Sequence, residues 1–464
     1  MTLDTALETA VARLVVDLDF DALPASTVQA ARKLMQDQLA LQIGCASLPW
    51  SQSVLNFVRA NHQTGKARVA ATQIRMSAPD AAFVNASFGH GFEYDDAHRA
   101  SSSHPGSCVV PAALALGDEL GASLKDVLLG IVAGYEVYTR IGNLAAPQLL
   151  ERGFHPHMVL SNFGAAAVAA KMKRFDVETT AHALSIAMSH CSGTTEYTSS
   201  GGSVKRVHAG IGTYNGLRAA ALAAAGVTGP SRWLSGNKGL FRVFSGKDVA
   251  PSQAGTFAPD AGFEVERIWI KPYCACGITH GYIDGARQLA NRVADLDSIT
   301  LGIQSGGDVV VGNQNENAWS PQKIEHLQYS LPFQVALSIL GKGNGLQVHQ
   351  DYMEGRLDIG PDSPVAQLAR RVAIVKKPEL DGAYRGKWVA ELTAGFKDGS
   401  EERLFIEDSI GTVENPISQP DLDAKFRDLT LRPMGQAKSD ALLAVITAGD
   451  PKRPASALTD LIAL

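Results

Sequence analysis

Through the first half of the chain, apolar residues recur at helical spacing. After the breaker Pro24, Ala25-Ser26 leads into Val28, Ala31, Leu34, Leu39 and Leu41 on a largely helical stripe, with Ser26 as the expected N-cap. Further on, 124–144, 162–172, 179–190 and 211–225 are long Ala-rich stretches with no strand alternation, and they predict packed helices. The pattern changes near residue 265. Val265 to Ile270 alternates at period two, and strand-like runs recur at 299–303, 309–311 and 372–375. Lys387 to Lys397 and Ser400 to Ile406 flank Asp398-Gly399, a strong hairpin signal. After Asn415-Pro416, Ser418 is placed to cap a helix with Pro420 and Asp421 in its first turn and Leu422, Phe426 and Leu429 as its apolar stripe. The chain therefore reads as mainly α with an α+β second domain: helical over 1–265, α+β over 266–413, and helical again over 414–464, where it rejoins the first part.

Composition agrees with this division. A length of 464 residues with 45% hydrophobic content exceeds the usual single domain and calls for two cores. Aromatic residues make up only 7%, while Ala and Gly abound, so close-packed helices fit better than a β-sandwich. The formal net charge of −5 gives no basic footprint for nucleic acid. No apolar run reaches membrane-spanning length, and Met1-Thr2-Leu3-Asp4 lacks the basic and apolar regions of a signal peptide. A cytoplasmic protein without membrane or nucleic-acid partners is expected. Five unevenly spaced cysteines argue against a disulfide framework, so they are expected to be reduced.

Three segments carry candidate chemistry. Gly89 to His98 holds Glu93, Asp95 and Asp96, three carboxylates within four residues that repel one another and demand nearby cations or solvent. Ser101 to Ser107 follows, with Ser107 placed to cap a helix beginning at Cys108 and His104 beside that helix's anion-attracting start. The second segment, Ser199 to Gly210, sets Lys205, Arg206 and His208 after a loop rich in glycine and hydroxyls. Its cations suit a carboxylate clamp, and they can equally serve as surface charges opening a helix. The third, Lys271 to His280, holds Cys274, Cys276 and His280, too few ligands at the wrong spacing for structural zinc, so no metal is expected. Lys271 stands at the domain boundary, where a lysine can reach an interdomain cleft or simply snorkel to the surface. No glycine-rich phosphate loop stands between a strand and a helix, so no nucleotide cofactor is implied.

Glu93-Tyr94-Asp95-Asp96 with His104-Pro105-Gly106 and Val110 to Leu116 resembles the D-Y-D-D-T-H and H-P-x-x-x-x-x-P-A-A-L-A-L pattern of the MmgE/PrpD family. The likeness continues in order through Gly153-Phe154-His155-Pro156, Phe163 to Ala167, Lys205 to Gly210, Lys271-Pro272-Tyr273 with Thr279-His280, Ser330 to Phe333, Asn415 to Ser418 and Lys425 to Leu429. This resemblance implies a large all-helical domain built from both chain ends, a smaller α+β lid and a homodimer; without a convincing ligand or phosphate-binding motif in the chain, no cofactor is expected. The implied chemistry is proton transfer beside a carboxylate of a small di- or tricarboxylic acid. Dehydration of a 2-methylcitrate-like substrate leads. The alternatives are epimerisation of an amino- or iminodicarboxylic acid such as iminodisuccinate, cis-aconitate-type decarboxylation, and carboxylate binding without turnover. The catalytic candidates are His104, Glu93, Asp95, His155 and Lys271; Lys205, Arg206, His208, Cys276 and His280 are expected to bind substrate. Against a decarboxylase-like pattern, Glu93 stands for Asp, Ala97 for Thr and Cys276 for His.

Overall fold

The computed structural model of the chain describes residues 6–146, 148–258, 261–383 and 386–464, so the reading of Met1 to Asp4 lies outside the described residues. The chain forms two compact units, Met1–Ile268 with Leu429–Leu464, and Trp269–Asp428. It is mainly α, with an α+β second unit.

The first unit begins with α1 (Ala6–Asp17), α2 (Ala25–Gly44) and α3 (Pro49–Asn61), followed by a two-residue ladder of β1 (Ala67–Arg68) on β2 (Arg75–Met76). That ladder is a small departure from an all-helical domain. Next come α4 (Ala78–Gly89), α5 (Gly106–Leu120), α6 (Leu124–Ala145), α7 (Gln148–Glu151), α8 (Pro156–Met172), α9 (Val177–Met188), α10 (Tyr197–Ser200) and α11 (Lys205–Ala224). The four Ala-rich stretches thus fall in α6, α8, α9 and α11. Small residues set their spacing. A Cβ on Gly216 of α11 would lie 2.4 Å from the Asn162 carbonyl oxygen and 2.7 Å from Ala165 Cβ of α8, so this helix pair approaches backbone to backbone.

Two local expectations fail here. Helix α2 starts at Ala25 with Pro24 as the flanking residue, because the Ser26 hydroxyl is given to Glu266 Oε1 at 3.0 Å, next to the Thr27 hydroxyl on the same oxygen at 2.5 Å. Val265 to Ile270 forms no strand: Glu264–Arg267 is a 3₁₀ turn, and the Val265 N–H is taken by the buried Glu136 carboxylate at 2.9 Å rather than by a strand partner.

In the second unit, α12 (His280–Gln288) precedes β3 (Leu296–Ile303), α13 (Ser305–Val311), α14 (Ile324–Gln328), α15 (Leu331–Ile339), α16 (Leu346–Met353) and α17 (Pro364–Ala369). Then come β4 (Val372–Lys376), β5 (Ala390–Phe396) and β6 (Glu401–Ile406). The sheet order is β4-β3-β5-β6, with β3 parallel to β4 and antiparallel to β5, and β5 antiparallel to β6. The expected hairpin closes through Phe396 N–H to the Ser400 carbonyl at 2.9 Å. The expected strand at Val309 to Val311 is helical instead, as the end of α13, where Asp308 accepts the Asn313 N–H at 2.8 Å and turns the chain. Leu296, Ile299, Leu301 and Ile303 of β3 and Leu392, Ala394 and Phe396 of β5 join Tyr282, Leu331 and Leu337 in this unit's core. The chain returns to the first unit within α18 (Gln419–Met434), whose start Ser418 caps by accepting the Asp421 N–H at 3.2 Å; α19 (Gln436–Ala448) and α20 (Ser456–Thr459) follow. Among the described residues no helix is long and apolar enough to cross a membrane, and the five cysteines form no disulfide.

Candidate active site

The first unit gathers five histidines. His90 is the C-cap of α4, His155 is the N-cap of α8 with Pro156 at the first helical position, His157 is one residue further on, and His208 lies one turn into α11. His104 sits just before α5. The ring centroids of His90 and His157 are 4.4 Å apart, those of His155 and His208 5.0 Å, and those of His90 and His104 5.3 Å.

Helix α5 begins at Gly106 rather than Cys108, and no side chain caps it; Ser107 lies inside the helix and donates to the His104 carbonyl at 3.0 Å. The helix start is held by Asp96 instead, whose Oδ1 accepts the Gly106 N–H at 3.0 Å while Oδ2 meets the Tyr135 hydroxyl at 2.6 Å. Only glycine fits there, since a Cβ on Gly106 would lie 2.5 Å from that hydroxyl and 2.7 Å from Asp96 Oδ2. Burial pushes the Asp96 carboxyl up to about 8, Tyr135 and Gly106 oppose the rise, and the charges of Asp95 and Asp37 add to it.

Hydrogen bonds assign the tautomers. His104 Nδ1 lies 2.8 Å from the Asp96 backbone carbonyl, which only accepts, so Nδ1 carries the proton and the neutral ring's lone pair is on Nε2. His90 Nδ1 likewise donates to Asp95 Oδ2 at 2.7 Å, whereas His104 Nδ1 is 3.6 Å from Asp95 Oδ1, so His90 is the main partner of Asp95. His157 is fully enclosed. Because Ser107 gives its proton to the His104 carbonyl, its hydroxyl accepts from His157 Nε2 at 3.2 Å, and the Tyr138 hydroxyl donates to His157 Nδ1 at 2.6 Å. His155 and His208 share one hydrogen bond, Nδ1 to Nδ1 at 2.8 Å, which requires one ring to donate and the other to accept.

Burial is the main reason these rings resist protonation, and neighbouring imidazoles reinforce it. His155 and His157 are held well below the ordinary histidine value, and His208 falls to about 4 with Lys205 adding to the effect. Lys205 forms an ion pair with Glu93, and the Arg206 guanidinium lies 3.6 Å over the Trp50 ring, which stacks on Phe92.

His104, Asp95, His155 and His208 therefore come together, with Glu93 and Lys205 paired. Lys271, Cys276 and His280 belong to the second unit. There Lys425 Nζ donates to the Lys271 carbonyl at 2.8 Å, and the Cys276 N–H is bound by the Gln328 carbonyl at 3.0 Å. His280 is enclosed between Trp269 and Tyr273, its Nε2 giving to the Ala275 carbonyl at 3.2 Å, and burial holds it well below the ordinary value. Among the described residues no group of three or more His, Cys, Asp or Glu side chains is arranged to hold a metal. Sequence reasoning missed His90 and His157. The available signals were the Gly89-His90-Gly91 run directly before the acidic segment, and the His-Pro-His spacing of 155–157.

Comparison with known proteins follows the same division. The MmgE/PrpD N-terminal domain matches residues 9–252 and the C-terminal domain matches residues 273–448. Cis-aconitate decarboxylase of Aspergillus terreus is 25% identical over 434 residues, covering 89% of this chain and 87% of its own length. The human enzyme of that name is 24% identical over 397 residues (84% and 80%), and the mouse enzyme 23% over 410 (84% and 79%). With both halves matched in order over most of its length, this chain belongs to the MmgE/PrpD family.

Proposed function

We propose that this chain is a lyase that moves a proton at the carbon beside a carboxylate of a small di- or tricarboxylic acid, with dehydration as its reaction. The carrying observation is the convergence of His104, which carries its proton on Nδ1, with the His155 and His208 pair, in which one ring donates and the other accepts. His104, with its lone pair on Nε2, is suited to take the proton from carbon. In the His155 and His208 pair, the ring that donates through Nδ1 keeps a basic Nε2, and the ring that accepts keeps an Nε2–H. One acid and one base thus lie side by side with no net charge. When the donating ring takes up a proton at Nε2 and passes its Nδ1 proton across the pair, the accepting ring can release its Nε2 proton to a departing hydroxyl, which leaves as water, and both rings end neutral. Asp95 orients His90 beside them, and His157, locked by Tyr138 and Ser107, positions the rings without meeting substrate.

Lys205 and Arg206 supply positive charge for substrate carboxylates. Proton transfers accompany the breaking of the C–O bond and no electron is gained or lost, so the reading asks for no cofactor. A homodimer, as the resemblance implies, and a cytoplasmic location, as expected from the sequence, belong to the same proposal.

Decarboxylation is the second reading, favoured by the relatives from Aspergillus terreus, human and mouse. Epimerisation would use the same residues to remove a proton from one face and return it to the other. An NMR assay in deuterated water with citrate, 2-methylcitrate, cis-aconitate and amino-dicarboxylates tests all three. Dehydration appears as loss of water, decarboxylation as loss of carbon dioxide, and epimerisation as deuterium exchange with inversion. Binding with neither exchange nor turnover would leave a carboxylate-binding protein and overturn the enzyme reading.

A further inference from the structure

Of the two adjacent cations at the start of α11, each is already engaged. Arg206 lies over the Trp50 ring, and Lys205 holds the carboxylate of Glu93. Glu93 reaches it from a left-handed backbone conformation, φ 55°, which side-chain-bearing residues adopt only where their surroundings impose it. The surroundings here are the bound ends of the loop: His90 closes α4, and Asp95, two residues beyond Glu93, is fixed to the His90 ring. Side-chain exposures of 17% for Glu93 and 21% for Lys205 show that the pair is mostly enclosed. Lys205 also faces the histidines. It is one turn from His208 on the same helix face, and its charge is felt by that imidazole.

We propose that Glu93 is a specificity-determining residue, an internal carboxylate occupying the place on Lys205 that a third substrate carboxylate would need, so that the site selects dicarboxylic over tricarboxylic acids. The proposal rests on the reading of this cluster as a carboxylate site and narrows it, away from a 2-methylcitrate-like substrate. A dicarboxylate finds cationic charge at Arg206 and leaves the Glu93 pair intact. A tricarboxylate must either displace Glu93 from Lys205 or set a carboxylate beside it, with like charges facing in a mostly enclosed space. Glutamate is suited to this block because its extra methylene, compared with aspartate, carries the charge to the lysine.

The test is calorimetric binding of two inert acids, tricarballylate and glutarate, to the full chain and to Glu93→Gln. Removing the internal charge is expected to tighten tricarballylate by about 10-fold or more, the lower end for a charge-assisted hydrogen bond, while glutarate affinity changes little. Glu93→Asp is expected to give a smaller gain, and it tests the idea even if the glutamine variant folds poorly. In Glu93→Gln combined with Lys205→Met the gain should vanish. Equal changes for both acids, or a gain that survives loss of Lys205, would overturn the specificity role and leave the proposed function standing. If neither acid binds the unmodified chain at millimolar concentration, the carboxylate-site reading fails, and this inference with it.

Discussion

Asp96→Asn should stabilise the protein at pH 8, an unusual sign for a change at a fully buried polar residue. Asp96 is enclosed, and its carboxyl rises from 3.8 to about 8. At about 1.4 kcal/mol per pH unit, a rise of that size sets a ceiling of about 5–6 kcal/mol. The sign follows from linkage: the folded chain keeps a proton that the unfolded chain has released, so this contribution is complete below about pH 4 and is lost as pH rises toward 8. Asparagine reproduces the neutral acid. Its oxygen can accept the Gly106 N–H, and its amide can donate to the Tyr135 oxygen across the 2.6 Å contact now made by Oδ2. Relaxation and the opposing hydrogen bonds reduce the observable gain to about 1–3 kcal/mol at pH 8, with near neutrality or a small loss near pH 4. Urea denaturation of both proteins at matched pH values isolates the effect, because every other titration cancels in the difference. A variant less stable at pH 8 by a margin independent of pH would show that Asp96 is ionised in the folded protein, and the account of its burial would be wrong.

Three further outcomes follow from the same geometry. His104→Gln should fold normally and lose about 10²-fold or more in kcat, the usual scale for general acid–base catalysis; a folded variant with near-normal kcat and pH profile would move the role to His155. Gly216→Leu should cost about 1–3 kcal/mol or more by overpacking α11 against the Asn162 carbonyl and Ala165, and an unchanged thermal midpoint would mean that the two helices do not lie this close. Because His155, His157 and His208 stay neutral in the fold while the unfolded chain takes up protons below about pH 6.5, their stabilisation is complete above that value and is lost as pH falls toward 4, where His208 itself protonates. Denaturant midpoints between pH 7 and 4.5 should fall steeply, and a flat profile would contradict the buried neutral cluster.

Long apolar periodicity was the most legible feature. Helix α6 runs Leu124–Ala145 where the pattern predicts 124–144, and the turn at Asp398-Gly399 lies between β5 and β6 as read. Short runs misled because period alone cannot separate three buried valines in a strand from the last turn of a helix, as at Val309 to Val311, and because a remote carboxylate, Glu136, takes the N–H that a strand at Val265 would have used. Caps failed for a related reason. Ser26 and Ser107 have the right chemistry, but other acceptors, the remote Glu266 for one and the local His104 carbonyl for the other, claimed their hydroxyls. In the site, residue types were readable and pairings were not. Nothing in the segment from Gly89 to Ser107 marks His90 as the partner of Asp95, and no spacing rule announces that His155 would share a proton with a histidine 53 positions away.

The mixed sheet of the second unit has a consequence for how that unit reaches its native state. Strands β5 and β6 are joined by a short turn and can zip on the microsecond scale typical of hairpins. The parallel partner of β3, by contrast, lies beyond residues 304–371, which must close as a loop before Ile299 can meet Val372. Strand β4 must therefore dock on β3 across a long crossover. Until it does, the outer edge of β3, with Leu296, Ile299, Leu301 and Ile303 along it, is an open template for another chain. Refolding yield should thus depend on protein concentration and on the time taken to complete one crossover, a vulnerability of assembly rather than of the finished fold.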